Sequence, residues 1–324
     1  MENYTIKPYF DKITGWIMLG TAYAFISLLG MIGNSFVVIA VASSEILRTI
    51  PNVFIVNLAV ADLLYCLALP LHVVSVLGQY HQSFDKMCFA FLFIAHSSVG
   101  CSVCTLASIA LNRLVLIVSP NKYYGLLFRK KVLVLWIVLL WIYAFSIAGI
   151  PPIALGIGKL TFDPTLHYCR TPKTLESSRY YDTVLIYGYF PLQMVIIFVC
   201  YFGVLIRVYL HNQTMMRYLD TPLHALYDFS SSLNQLDEAP IPSAGDAYKL
   251  QMSITKNMVL IFCAFIVCYA PHIICNQIYE ECPIDGFGRL MISLNSAVNP
   301  IIYGFNHPQF RRVFIKLLHL NTSN

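Results

Sequence analysis

Seven long apolar segments restrict what this chain can fold into. They cover about residues 17–42, 51–77, 88–118, 130–153, 182–210, 250–277 and 286–305. Each reaches the roughly 20 residues that a helix needs to cross a bilayer. Only 11% of the residues are charged, against about a quarter in a soluble protein. The apolar runs are continuous and do not alternate, which favours helices over barrel strands. The sequence therefore predicts an all-α membrane protein built as a seven-transmembrane helix bundle.

Basic residues predict how the chain lies in the membrane. With the amino end outside, thirteen Lys and Arg residues fall on the cytoplasmic side and eight on the external side, the expected bias. Asn3 opens a glycosylation sequence, which fits an external amino end. We predict a multi-pass plasma-membrane protein with residues 1–16 outside and a transmembrane domain over 17–305. A cytoplasmic loop is expected at about 211–249 and a cytoplasmic tail at 306–324. The net charge of +5 reflects this topology, so nucleic acid is not an expected partner.

The tail begins with a short amphipathic pattern. Over residues 308–318, apolar side chains recur at helical spacing and basic side chains occupy another face. This pattern predicts a short eighth helix lying on the inner membrane surface. A frayed tail is the alternative.

Polar residues interrupt two of the apolar segments. Asp62 lies in the middle of the second segment, where an ionisable group is costly and should face the bundle interior with a partner. In the seventh segment, Pro300 removes a backbone hydrogen bond and frees a carbonyl, which then needs a new partner. Asn295, Ser296 and Asn299 lie close to that proline. A kinked and polar helix end in a membrane indicates a moving part.

The run Asn299-Pro300-Ile301-Ile302-Tyr303 resembles the Asn-Pro-x-x-Tyr signature of rhodopsin-like (class A) G-protein-coupled receptors. Arg113 lies 25 residues after Cys88 and seven before Pro120, as the arginine of that family's Asp-Arg-Tyr motif does. The run Cys268-Tyr269-Ala270-Pro271 is similar to the family's Cys-Trp-x-Pro switch. Without the family, Arg113 could simply extend to the lipid headgroups, and Tyr269 could be a core aromatic beside a kink.

The resemblance implies sites and partners by position. A hard cation prefers oxygen ligands, and the resemblance implies an allosteric sodium ion bound by Asp62, Ser102, Asn295, Ser296 and Asn299. No other cofactor is expected, and a neutral Asp62 in a structural network is the alternative. The implied G-protein coupling and switch residues are Asn112, Arg113, Pro120, Phe265, Tyr269, Pro271, Asn299, Pro300 and Tyr303. The implied disulfide joins Cys88 to Cys169. A second disulfide between Cys275 and Cys282 is also possible.

The chain departs from the family pattern around Arg113. Asn112 stands where the family has an acid, Leu114 where it has an aromatic residue, and Gln251 near its sixth-helix acid. Tyr269 also replaces tryptophan. We therefore expect either raised basal activity or a resting state held by other contacts. These variants resemble a melatonin-receptor-like orphan branch and its fatty-acid-sensing relatives.

Two family positions restrict the ligand. Ala95 stands where amine receptors carry aspartate, and Ser293 where opsins carry the retinal-bearing lysine, so neither a biogenic amine nor retinal is expected. The ligand-binding candidates are His96, Val99, Arg170, His272, Asn276 and Arg289. Arg289 could bind the acid group of a lipid or peptide. It could equally pair with Glu280, Glu281 or Asp285.

The resemblance implies a receptor that passes an extracellular signal to heterotrimeric G proteins by an outward swing of helix six. The expected partners are the G protein, arrestin, membrane lipid, and a small-molecule, lipid or peptide ligand. A decoy or arrestin-only receptor is an alternative, because the surroundings of Arg113 are altered. An ion channel or transporter is another, although the polar groups form one local cluster. We find no catalytic constellation, so an enzyme is not expected.

Overall fold

The computed structural model describes residues 13–78, 84–119, 123–163, 168–172, 174–219, 244–278 and 285–320. Within these ranges, the helices are α1 (Ile13–Ser43), α2 (Ile50–Leu77), α3 (Phe84–Val118), α4 (Tyr124–Leu127), α5 (Lys130–Gly149), α6 (Glu176–Tyr189), α7 (Pro191–Leu219), α8 (Ala244–Ile278), α9 (Asp285–Asn306) and α10 (Pro308–Leu320). A wide helical turn, Ile150–Ala154, extends α5. Two short antiparallel strands follow, β1 (Thr161–Asp163) and β2 (Tyr168–Arg170).

The predicted all-α bundle is confirmed. In the described part of the chain, six helical spans are long and apolar enough to cross a membrane, and α6 and α7 together make one of them. The seventh helix, α9, is more polar and packs against α1, α2 and α8. The helices α7 and α8 extend into the region predicted as the loop at 211–249, because hydropathy marks the edge of the bilayer and not the end of a helix.

The surface of the bundle is apolar and part of its interior is polar. Large apolar side chains such as Phe25, Leu205 and Phe202 are more than 60% exposed. Asn34, Asn57 and other amides are buried between helices. Apolar faces of this extent are unusual on soluble monomers, and a bilayer would cover them. The buried polar groups are where a membrane protein concentrates its function.

A proline inside α2 shows how the bundle satisfies its backbone. Pro70 has no N–H, so the carbonyl of Cys66, four residues earlier, loses its helical partner. The Ser27 hydroxyl of α1 donates a hydrogen bond to that carbonyl at 2.8 Å. The kink and the contact between the two helices therefore depend on each other.

One end of the bundle, the end that the sequence predicts to be external, is covered by the β1–β2 hairpin. Cys169 of β2 is disulfide-bonded to Cys88 of α3, as predicted. The Asp85 carboxylate accepts hydrogen bonds from the Thr161 hydroxyl and, at 3.2 Å, from the Phe162 amide. Covalent and polar attachments thus hold both strands against the start of α3.

At the internal end, α10 turns away from α9 and packs beneath the bundle. Phe310 is fully buried and stacks on Tyr303, with ring centroids 5.4 Å apart. Phe314 packs against Phe310 on one side and Phe36 of α1 on the other. The apolar face of the predicted eighth helix is therefore occupied by α1 and α9.

Candidate functional site

A polar chamber lies between α2, α3 and α9 in the middle of the bundle. Asp62 is 2% exposed, and its Oδ2 accepts a hydrogen bond from Asn299 Nδ2 at 2.7 Å. The hydroxyl groups of Ser102 and Ser296 interact with the same carboxylate. Four of the five predicted sodium-pocket residues therefore meet around one acid.

Pro300 shapes the wall of this chamber as the sequence predicts. It frees the carbonyl of Ser296, and Asn34 Nδ2 donates a hydrogen bond to that oxygen at 2.8 Å. The helices must approach closely for this contact, since a Cβ on Gly33 would lie 2.9 Å from the Pro300 ring. A polar side chain of α1 thus fixes the kink of α9.

Several buried oxygen atoms on the helices α1, α3 and α9 have no protein partner among the described residues. They include Asn34 Oδ1, Ser98 Oγ, Asn295 Oδ1 and Asn299 Oδ1. Buried oxygens of this kind bind water or a hard cation. The described residues contain no group of three or more His, Cys, Asp or Glu side chains suited to a metal. One carboxylate among neutral oxygens fits sodium better than a transition metal.

A second polar network lies beside the chamber and was not predicted. Asn57 Nδ2 donates to Thr105 Oγ1 at 2.8 Å, and Asn57 Oδ1 accepts from Trp141 Nε1 at 3.0 Å. One asparagine of α2 therefore joins α3 and α5. The signal in the sequence was an asparagine inside an apolar segment, five residues before Asp62.

A stack of aromatic rings lies on the part of α8 that precedes Pro271. Tyr269 stacks on Phe265 with ring centroids 4.2 Å apart, and Phe190 packs against both. Pro271 lies inside the same helix. The predicted switch residues of helix six are therefore packed together, with Tyr269 facing the cavity described next.

A cavity of about 430 Å³ opens between α3, α6, α8 and α9 at the external end. Of the predicted ligand candidates, His96, Val99, His272 and Arg289 line it. Arg170 is not among the described lining residues, because its side chain turns towards Asp163, 3.7 Å away. Lining residues that the sequence analysis did not single out include Tyr23, Tyr65, Thr171, Arg179 and Asp182.

Arg289 belongs to a cluster of polar side chains at the mouth of this cavity. Its Nε donates to Asp285 Oδ2 at 2.8 Å, so the predicted alternative of an ion pair with Asp285 is realised. Tyr168 donates to the same oxygen at 2.7 Å, and His272 Nδ1 lies 3.1 Å from Asp285 Oδ1. Burial raises the pKa of Tyr168 above its ordinary value, so this hydroxyl stays a donor. The cluster joins α8, α9 and β2.

The histidines of the cavity wall are largely occupied in packing. His72 stacks on Phe91 with ring centroids 4.6 Å apart. His96 Nδ1 lies 3.1 Å from the Tyr181 hydroxyl, and that hydroxyl donates to the carbonyl of Ala148. His96 therefore acts as the donor, and both rings have structural roles.

Arg113 lies at the internal end of α3 and is 2% exposed. The hydroxyl groups of Tyr124 and Tyr201 are close enough to interact electrostatically with its guanidinium. Asn112 Nδ2 lies 3.4 Å from the Tyr124 hydroxyl. The arginine is thus held inside the bundle by tyrosines from two other helices, which excludes the alternative in which it extends to the headgroups.

One contact joins the internal ends of α8 and α9. Asn257 is 6% exposed, and its Nδ2 donates to the carbonyl of Asn306 at 2.7 Å. Asn306 is the last residue of α9, where carbonyls have no helical partner. The side chain of Asn257 therefore caps α9 from the neighbouring helix. No sequence motif pointed to it.

Some predicted positions fall outside the described residues. These are Asn3, Pro120 and Cys282, together with the side chains of Gln251 and Asn276. Cys275, at the external end of α8, is disulfide-bonded. Its predicted partner was Cys282.

The geometry resembles that of known receptors. The family model described as 7 transmembrane receptor (rhodopsin family) matches residues 33–303. A Gq-coupled rhodopsin of Mizuhopecten yessoensis is 27% identical over 91% of this chain, which spans 58% of that protein. The melatonin receptor type 1A of Gallus gallus is 26% identical over 93% of this chain and 80% of its own length. The crystal structure of squid rhodopsin matches with a TM-score of 0.80 at 20% identity, over 100% of this chain and 91% of that one.

The chain folds as a seven-helix bundle, and the family match covers most of its length. The chain belongs to the rhodopsin family of seven-transmembrane receptors. Members of this family are receptors, which agrees with the prediction that the chain is not an enzyme.

Proposed function

We propose that this receptor carries the signal of an extracellular ligand from the external cavity to a heterotrimeric G protein at the plasma membrane. The observation that supports this most directly is the position of Tyr269. Its ring lines the cavity and stacks on Phe265 one turn further inward, on the helix that Pro271 kinks. A ligand that pushes on Tyr269 acts on the part of α8 that is weakest against bending.

Two contacts between α8 and α9, one on each side of Pro271, support an outward swing of α8. Above the kink, α8 is joined to α9 through His272 and Asp285. Below it, Asn257 bonds the end of α9. We propose that a ligand repacks the aromatic stack, breaks the lower bond, and lets the internal half of α8 move away. Arg113 then becomes accessible to the G protein, and Tyr303 rearranges with α9.

A sodium ion in the polar chamber would oppose this movement. Asp62, Ser102 and the chamber oxygens of α9 would bind it. Its charge would compensate the buried carboxylate and attract α2, α3 and α9 towards one another. Because activation changes the position of α9, the ion would favour the resting state.

The lining of the cavity argues against two ligand classes of related receptors. A retinal Schiff base needs a lysine amine, and the described cavity wall contains no lysine. At the family's lysine position, the Ser293 hydroxyl donates to the Arg289 carbonyl and is 2.8 Å from the Tyr65 hydroxyl. Ala95 offers no charge to an amine. We propose a small-molecule, lipid or peptide ligand instead.

Coupling to a G protein is tested directly with purified receptor in lipid nanodiscs and representatives of each Gα class. We expect the receptor to accelerate nucleotide exchange on at least one class above empty discs. Arg113→Ala should abolish that acceleration, whereas Arg129→Ala, an exposed arginine at the same membrane face, should not.

The alternatives give different results in the same system. Arrestin recruitment in cells without exchange on any Gα class would contradict G-protein coupling and support the arrestin-only receptor. Sodium flux through reconstituted vesicles would support the channel or transporter alternative. A residual exchange rate in Arg113→Ala equal to the wild-type rate would exclude the proposed role of that arginine.

A further inference from the structure

We propose that the external cavity binds a ligand with one carboxylate group, and that Arg289 is the residue that recognises it. This rests on the proposed receptor function and names the ligand class of the same cavity. The carboxylate would lie on the terminal nitrogens of Arg289, and the apolar body of the ligand would extend along the rings towards Tyr269.

Part of the hydrogen-bonding capacity of Arg289 is not used by the described residues. A guanidinium carries five N–H donors, and the structure gives a hydrogen bond only to Nε. Among the described residues, none accepts from the other two nitrogens, although Arg289 lines the cavity. The Arg289 side chain is 20% exposed, so a ligand in the cavity can reach these nitrogens. A bidentate carboxylate supplies the missing acceptors with the geometry that the arginine fork favours.

The side chain of Arg289 is held in a fixed orientation. Asp285 holds Nε from one side, and the Tyr168 ring lies 5.1 Å from Cζ. Asp285 is itself shared, because Tyr168 and His272 also bond to its carboxylate. The acid therefore positions Arg289 without using its terminal nitrogens. A guanidinium held in place before binding loses little entropy when a ligand arrives.

The rest of the cavity wall is largely apolar. The apolar residues of the cavity wall include Phe91, Leu92, Val99, Phe190 and Ile292. The second charged region of the cavity, Arg179 and Asp182, lies on α6. Asp182 already accepts two contacts from the Thr171 hydroxyl, at 2.9 and 3.0 Å. A ligand with one acidic end and an apolar body matches this distribution.

The test compares head groups on the same ligand body. Purified receptor in nanodiscs is heated with 4-phenylbutyrate, decanoate or indole-3-propionate, and with the corresponding alcohol and amine of each. We expect at least one acid to stabilise the wild type at a concentration about ten- to a hundredfold lower than the corresponding alcohol needs. This ratio is the gain in affinity expected for hydrogen bonds between charged groups. The amines should not stabilise it more than the alcohols.

Variants then assign the preference to a residue. Arg289→Gln should remove the advantage of the acid over the alcohol, and Arg289→Lys should retain part of it, since the charge remains but the fork is lost. Arg170→Gln, outside the described lining, should behave as wild type. If Arg289→Gln does not fold, Arg289→Lys still separates charge from geometry.

Two outcomes would overturn the proposal. One is the absence of any acid preference in the wild type across the panel. The other is an acid preference that survives in Arg289→Gln. If Arg179→Gln then removes that preference, the carboxylate binds at α6 instead. Ligand binding is measured without a G protein, so these outcomes do not decide whether the receptor couples to one. Equally, a failure of nucleotide exchange does not affect the binding test.

Discussion

The bond between Asn257 and the end of α9 predicts how firmly the receptor is held at rest. Asn257→Ala removes the donor to the Asn306 carbonyl and leaves that oxygen at the end of a helix without its partner. If the swing of α8 breaks this bond, the variant destabilises the resting state and not the active one. Basal signalling should therefore rise without any ligand.

The structure sets the size of the effect. The bond is 2.7 Å long and its donor is buried, so its net contribution is about 1–1.5 kcal/mol. Removing it changes the ratio of resting to active receptor by about five- to tenfold. A receptor that is about 1% active at rest, within the usual range for a minor state, would become about 5–10% active.

The assay is basal nucleotide exchange on the coupled Gα class, normalised to receptor density. Asn257→Asp keeps the shape of the side chain but cannot donate when ionised, so it should raise the rate at least as much. Val259→Ala, on the same helix but 37% exposed, is the matched control and should change nothing. Basal exchange in Asn257→Ala equal to the wild type at equal density would refute the reasoning, as would an equal rise in Val259→Ala.

Three further predictions follow from the chamber, the external cap and the helix packing. Sodium at about ten times its dissociation constant should add about 1.4 kcal/mol to the stability of the wild type, measured as a higher melting temperature than in potassium. Asp62→Ala should abolish this increase. An increase of the same size in Asp62→Ala would exclude the site. Cys169→Ser opens a loop with a sequence separation of 81 and should lower stability by up to about 4 kcal/mol, measured as surface expression and melting temperature. Gly100→Ala places a Cβ 2.3 Å from the Tyr189 ring and should cost about 1–3 kcal/mol of thermal stability, whereas Gly125→Ala, with open space around it, should cost little.

Much of the transmembrane architecture could be predicted because the bilayer imposes simple requirements on a sequence. Asp62 had to face the interior, and the carbonyl that Pro300 frees had to find a donor. The structure supplies that donor as Asn34, from a helix more than 250 residues away in the chain. The need for a partner is a local property of the sequence, but the identity of the partner depends on which helices become neighbours.

Other contacts could not be predicted for the same reason. Asn257 donates a hydrogen bond to a backbone carbonyl. Every residue has such a carbonyl, so the sequence does not indicate which one accepts. Arg170 was a ligand candidate, but in the paired strands its side chain lies 3.7 Å from Asp163. For Arg289, the sequence left three acids open. Glu280 and Glu281 lie outside the described residues, and Arg289 pairs with Asp285, four residues away on the same helix.

The polarity of α9 has a consequence for how the protein is made. Among the described helices of transmembrane length, α9 alone is not apolar enough to qualify as a span. Its polar groups find their partners on α1, on α2 and on the external hairpin. Alone in lipid, the same groups would oppose insertion. Because α9 is synthesised after the helices that supply these partners, we expect it to enter the membrane by packing against them, so its integration would report whether the preceding helices have assembled correctly.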